Sequence, residues 1–119
     1  MAMDKTLLLG AASPDWDPQM SEVVADLEVV LGFRLFPKPA GEEMFLGGDD
    51  RGHAWLTLEW EDFEPFRSHP FNLDVTTSEP ELPYVTSLFE RLADLARYRV
   101  ILLLDHACIR STHFPCEAW

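Results

Sequence analysis

The C-terminal part of the chain contains the densest group of side chains that could bind a metal ion. Four residues with the usual zinc ligands, imidazole nitrogen and thiolate sulfur, fall within eleven positions: His106, Cys108, His113 and Cys116. Their Cys-x4-His-x2-Cys spacing is not that of a common zinc module. We favour a strand end followed by a tail, with Cys108 as a small buried side chain. We therefore predict no cofactor and no metal, and these four residues form the ligand set of an alternative hypothesis.

Nucleophilic catalysis is the second chemistry that these residue types suggest. Cys108 and His106 are two positions apart, so on a strand they would share a face, and an adjacent histidine can activate a cysteine. No glycine-rich elbow, oxyanion-binding loop or third orienting group accompanies them. Residues 47–50 contain two glycines and two aspartates but lack the alternating oxygen ligands of a calcium loop. We predict a protein that is not an enzyme and has no catalytic residues.

A different kind of chemistry is indicated by residues 59–66, Glu-Trp-Glu-Asp-Phe-Glu-Pro-Phe, which we call the acidic-aromatic segment. Aromatic rings supply rigid contact area, and clustered carboxylates steer a basic partner toward them. The competing interpretation places the rings in the core and leaves the carboxylates as a solvated rim. We predict a partner-binding surface made of this segment and nearby acidic or aromatic residues: Asp49, Asp50, Trp55, Glu59, Glu61, Asp62, Phe63, Glu64 and Phe66.

The overall charge limits the kind of partner. The 119 residues include 21 acidic and 9 basic side chains, which give a net charge of −12. A field of this sign repels phosphate backbones and anionic lipids, so we predict no nucleic acid and no membrane as partners. The N-terminal apolar run is too short for a signal peptide, and two cysteines are too few for a disulfide framework. We predict one domain over residues 1–119, in the cytoplasm.

The elements that position these residues follow from hydrophobic periodicity. Two apolar stripes at helical spacing predict helices, the first capped by Asp17 and Pro18 and ended by Gly32, the second beginning near Leu82. Continuous or alternating apolar runs predict strands over residues 6–9, 33–36, 43–46, 53–60, 71–77 and 99–105. The arms 43–46 and 53–60 flank a glycine-rich stretch and form a hairpin with a six-residue loop.

This order predicts an α+β two-layer sandwich. Both helices pack on one face of a mixed, mostly antiparallel sheet of four to six strands, a variant of the ferredoxin-like plan. The two continuous apolar strands, near Leu8 and Leu102, are expected to be central neighbours.

In size, acidity and order of elements the chain resembles the small immunity proteins of bacterial polymorphic toxin systems. The resemblance implies a cytoplasmic protein that binds a cationic toxin domain and covers its active-site cleft. Two alternatives stay open: a small enzyme or metal-binding domain built on the C-terminal His/Cys cluster, and a subunit of a symmetric oligomer that buries Trp55.

Overall fold

The computed structural model describes residues 4–38, 44–59 and 61–119. Their strands are β1 (Lys5–Ala11), β2 (Phe36–Pro37), β3 (Met44–Gly48), β4 (Gly52–Leu58), β5 (Phe71–Thr77), β6 (Tyr98–Leu104) and β7 (Ala107–Ser111). The helices are α1 (Met20–Leu31), α2 (Glu81–Asp94) and a short 3₁₀ turn, Cys116–Ala118. Within these ranges no helix has both the length and the apolar character needed to span a bilayer.

One sheet contains all seven strands, in the order β2-β3-β4-β5-β1-β6-β7. Four neighbouring strands, in the order β4-β5-β1-β6, form a ferredoxin-like arrangement together with the two helices. In this split β-α-β plan the strands on either side of α1 are separated by another strand, and here β5 lies between β1 and β4. The predicted α+β sandwich is confirmed, and so is the central pairing, since Leu7 lies opposite Leu102. The strand number was underestimated, and every neighbouring pair in the described sheet is antiparallel rather than mixed.

The main core lies between the helices and one face of the sheet. Alternate residues of the central strands point into it, for example Leu7 and Leu9 of β1 and Leu56 of β4, and both helices bury their apolar stripes there. Lys5 also lies under α2, only 2% exposed, and its Nζ is 2.8 Å from Glu81 Oε2. The prediction of both helices on one face is therefore confirmed.

The opposite, open face of the sheet has a smaller apolar cluster of its own. Leu8, Ile101 and Leu103 are buried there under Phe66 and Phe114, which come from the β4–β5 connection and the C-terminal tail. Gly10 lets the connection approach, because a Cβ atom at this position would lie 1.7 Å from the carbonyl oxygen of Ser68. The open face is therefore covered at one end by the loop and the tail, and neither α1 nor α2 packs on it.

The C-terminal region differs most from the prediction. The residues after β6 turn back at Asp105 and His106, whose φ angles are 48° and 68°, and form strand β7. Two left-handed residues are what a two-residue hairpin turn requires, but Asp-His is an unusual sequence for one. A register shift between Leu102 and Leu103 also breaks the alternation in this hairpin. The predicted strand end and tail are in fact an edge strand, followed by a tail that packs on the sheet.

Other helix and strand boundaries differ from the predicted ones by a few residues. Helix α1 is capped by Gln19 rather than Asp17, because the backbone N–H of Gln19 donates to Glu22 Oε1 at 3.1 Å. Gly32 ends that helix as predicted, with φ of 84°. The β3–β4 loop has three residues instead of six, and the strand predicted over 33–36 is the two-residue β2. Glu43 and Trp60, which were expected at the ends of the hairpin arms, lie outside the described residues.

Candidate partner-binding surface

The acidic-aromatic segment lies in the β4–β5 loop, residues 59–70, which is held together by its own hydrogen bonds. At its base the N–H of Glu59 donates to the carbonyl of Pro70 at 2.8 Å, and within it the N–H of Arg67 donates to Phe63 O at 2.9 Å. The Ser68 hydroxyl donates to Pro65 O at 3.2 Å, and His69 Nδ1 lies 3.0 Å from the same oxygen. This bonding orders the loop before any partner arrives, which lowers the entropy lost on binding.

All four carboxylates of the segment are exposed: Glu59, Glu61, Asp62 and Glu64. Glu64 has a local role, because its Oε1 accepts a hydrogen bond from the N–H of Ser68 at 2.8 Å. For the other three, no described side chain donates a hydrogen bond or forms an ion pair. Three negative charges are thus presented to solvent from one short loop.

The rings of the segment have different roles. Phe63 is 57% exposed, and it meets Phe66 edge to face with ring centroids 5.5 Å apart. Phe66 packs inward on Leu8 and its neighbours and lies 5.9 Å from the ring of Trp119. Phe66 lies where the core interpretation expects the rings and fastens the loop to the sheet, whereas Phe63 is exposed, as a partner-binding ring would need to be. Trp60 lies outside the described residues.

Trp55 lies in the middle of β4 on the open face, next to apolar residues that were not predicted as part of the surface. It is opposite Leu46 of β3, which is in turn opposite Phe36 of β2. Leu46 is 37% exposed and Phe36 is 58% exposed. We call Phe36, Leu46 and Trp55 the open-face row. The alternation of β4 was recognisable in the sequence, but β2 and β3 are too short to show it.

A cleft of about 400 Å³ opens beside Trp55. It is lined by Asp74, which lies opposite Trp55 on β5, and by Thr6, Asp4 and His106. The Thr6 hydroxyl donates to Asp74 Oδ1 at 2.7 Å, and Asp4 Oδ2 lies 3.3 Å from His106 Nε2. An indole ring with two nearby carboxylates is an environment that attracts a lysine or arginine side chain.

Asp49 and Asp50 lie at the other end of β4 from the acidic-aromatic segment. Asp49 shapes the β3–β4 turn, because its Oδ1 accepts hydrogen bonds from the N–H groups of Arg51 at 2.8 Å and Gly52 at 3.1 Å. The hydrogen bond from Arg51 lowers the pKa of the Asp49 carboxyl. Since β4 is seven residues long, these aspartates are roughly 20 Å from the segment. The structure therefore distributes the nine predicted residues over three places.

The His/Cys cluster is not arranged as a metal site. Cys108 and Cys116 form a disulfide, which removes both thiolates from the proposed ligand set and from nucleophilic chemistry. His106 faces Asp4, and His113 Nδ1 lies 2.7 Å from the Thr112 hydroxyl. Across the described ranges no three His, Cys, Asp or Glu side chains are grouped to hold a metal ion. The disulfide joins the C-terminal tail to β7, close to the cluster that Phe66 covers.

Comparison with protein-family models, with curated proteins and with solved structures gives no match to this chain.

Proposed function

We propose that this protein is a non-enzymatic inhibitor that binds a basic protein, in the manner of the immunity proteins that neutralise bacterial toxins in the cytoplasm. The observation that carries the proposal is the exposed ring of Phe63 on an internally bonded loop, beside three carboxylates that no described side chain pairs with. A loop needed only for solubility gains nothing from exposing a phenyl ring. Rings of this kind, held rigidly at a surface, are typical anchors of protein interfaces.

The open face supports the same proposal, because it brings a second group of apolar side chains near the loop. Phe66 docks on Leu8, and Leu8 lies two strands away from the open-face row, which corresponds to roughly 10 Å. The loop and the row can therefore contact one partner. Together they form an apolar centre with carboxylates around it, the usual anatomy of an interface.

Charge determines which partner fits. With a net charge of −12, the surface attracts a cationic protein over distances of about 10 Å at physiological salt. The cleft at Trp55 accommodates a lysine or arginine of that partner between Asp4 and Asp74. An acidic inhibitor of this kind would occupy the basic cleft of a toxin domain in place of its anionic substrate.

For the test, the protein encoded by the neighbouring gene is expressed and offered as the binding partner, with association and dissociation rates measured by interferometry. Replacing Phe63 with Ala should weaken binding by about thirtyfold, mainly through faster dissociation. Leu82 on the outer side of α2 is 50% exposed, so Leu82→Ala is a matched control that should leave binding unchanged.

Electrostatic steering of the partner by the loop carboxylates is tested with the combined change Glu59→Gln, Glu61→Gln and Asp62→Asn. Association should slow several-fold at low salt, and the difference should disappear as salt is added. Asp94→Asn, an exposed carboxylate at the end of α2, is the control, and the change in association rate is compared per charge removed because the loop variant loses three charges and the control loses one. Equal effects of the loop and control variants, or no binding by the wild type, would refute the proposal. A stable dimer without partner, disrupted by Trp55→Ser, would favour self-association instead.

A further inference from the structure

A second cleft, of about 600 Å³, lies at the end of the sheet where α1 begins. The β1–α1 connection, the last residue of β4, the β4–β5 loop and the start of β6 all contribute to its walls. Apolar surface comes from Trp16, Met20, Leu58 and Phe71. This volume and lining are in the range of clefts that hold small organic molecules. Its location differs from that of the cleft beside Trp55.

The polar groups of this end cleft are positive, which is unexpected in so acidic a chain. Arg67 and Arg99 both line it, and neither guanidinium forms an ion pair or hydrogen bond with a described residue. Most other cations of the chain do have such partners: Arg51 faces Asp49, Arg97 faces Asp26, Arg110 faces Glu90, and Arg91 donates to a carbonyl oxygen. With 21 acidic residues available, two arginines without partners in one cleft indicate that an anion from outside completes the site.

Arg99 gives the more specific indication. Its Nε atom is fully buried and has no hydrogen-bond partner in the described structure. Its charge also contributes to lowering the pKa of the nearby His69, although burial is the larger cause. Arg99 as a whole is half-buried, but a guanidinium nitrogen that reaches neither solvent nor an acceptor is unfavourable, and a bound carboxylate or phosphate beside it would supply the missing counter-charge. The amino end of α1 adds a favourable potential at the same place, whereas Asp17 is the one carboxylate in the lining.

We propose that the end cleft binds a small organic anion, with a carboxylate or phosphate group held by Arg67 and Arg99 and an apolar body against Trp16, Met20 and Phe71. Two guanidinium groups match the oxygens of either anion, and the apolar side chains of the lining accept a ring or a short hydrocarbon chain. The proposal is independent of the partner-binding surface, because it uses different residues and a ligand of the opposite charge.

The experiment is a titration of the wild-type protein followed by ¹H–¹⁵N correlation spectra. The probes are 1-naphthylacetate and 1-naphthyl phosphate, and the neutral isostere 1-naphthylacetamide is the control ligand. We expect both anions to shift the Trp16 indole N–H and the backbone amides that line the cleft, and the tighter probe identifies the preferred anionic group. The amide should bind about tenfold more weakly than the acid, because it lacks the charge-assisted hydrogen bonds.

Variants link the effect to the two arginines. Arg67→Gln and Arg99→Gln should each weaken binding of the anions by about tenfold or more and leave binding of the amide unchanged. Arg34 is exposed and lies outside the cleft, so Arg34→Gln is the matched control. If Arg99→Gln does not fold, Arg67→Gln at its exposed position decides the question. Equal affinity for acid and amide, equal effects of Arg34→Gln and Arg67→Gln, or no shift at about 10 mM of either anion overturns the proposal.

Discussion

Phe63 and Phe66 are three residues apart in one loop, yet the structure gives them opposite roles, and this difference can be measured. Phe66 is partly buried on Leu8, Ile101 and Leu103, whereas Phe63 is 57% exposed and packs edge to face with Phe66. The perturbation is the pair of single replacements Phe63→Ala and Phe66→Ala. Both remove the same atoms, so a difference in the free energy of unfolding reports where each ring lies.

The expected magnitudes follow from burial. Truncation of a fully buried phenylalanine costs about 3–5 kcal/mol, so a partly buried Phe66 should cost about 2 kcal/mol. Phe63 has less than half of its surface in contact, and its loss should cost about 1 kcal/mol or less, including the edge-to-face contact. For a chain of this length we expect the melting temperature to fall by roughly 8 °C for Phe66→Ala and by roughly 3 °C for Phe63→Ala.

The assay is equilibrium unfolding in urea, followed by circular dichroism and by tryptophan fluorescence. Trp119 lies against Phe66, so its emission should also change in the native state of Phe66→Ala. The slope of the unfolding free energy with urea should stay constant, since neither change alters the fold. If Phe63→Ala destabilises the protein as much as Phe66→Ala, Phe63 is a core residue. The proposed partner-binding surface would then lose its central anchor.

Three further predictions concern groups that hold the open face together. Burial lowers the pKa of His69 below its ordinary value of 6.5, so unfolding takes up a proton; the free energy of unfolding should decrease as the pH falls below about 6.5 toward the folded-state pKa. Urea titrations of His69→Gln across this range should lack that part of the decrease, and an unchanged pH dependence would contradict it. The Cys108–Cys116 disulfide closes a loop with a sequence separation of 8, so replacing both cysteines with Ser should cost about 2.5 kcal/mol by the loop-entropy relation. Thiol titration should detect free cysteine only after reduction, and two free thiols in protein purified without a reducing agent would refute the pairing. Gly10→Ala places a Cβ atom against Ser68 O and should lower stability by about 2 kcal/mol or more; a melting temperature equal to that of the wild type would show that the loop does not lie on β1.

The main core could be predicted from the sequence because its signals are local. The stripe that includes Val23 and Leu27 repeats at helical spacing, and the alternation of Ala54 and Leu56 marks a half-buried strand. Each of these patterns depends on a few neighbouring residues. The side chains of both patterns lie in the core between the helices and the sheet. The pairing of β1 with β6 followed from their continuous apolar runs, which are typical of central strands.

The features that the sequence did not reveal depend on contacts between distant segments. Strand β7 was missed because Asp105 and His106 are not the usual residues of a left-handed turn. Phe66 was ambiguous because loops have no periodicity from which an inward ring can be distinguished from an outward one. Arg67 and Arg99 are far apart in the chain and come together only through the strand order, so no local pattern could indicate the end cleft.

The two outermost strands of the sheet also influence how this protein meets other chains. β2 has only two residues, and one of them is Pro37, which has no N–H to offer; β7 is short and is interrupted by a register shift. Within the residues that the structure describes, neither of these two strands presents the long, regular row of free backbone groups that another strand needs for pairing. These edges disfavour the addition of a partner strand to the sheet, so we expect any partner to be recognised mainly through side chains. The same edges also disfavour edge-to-edge pairing between copies of the chain, even though an apolar face of the sheet is exposed.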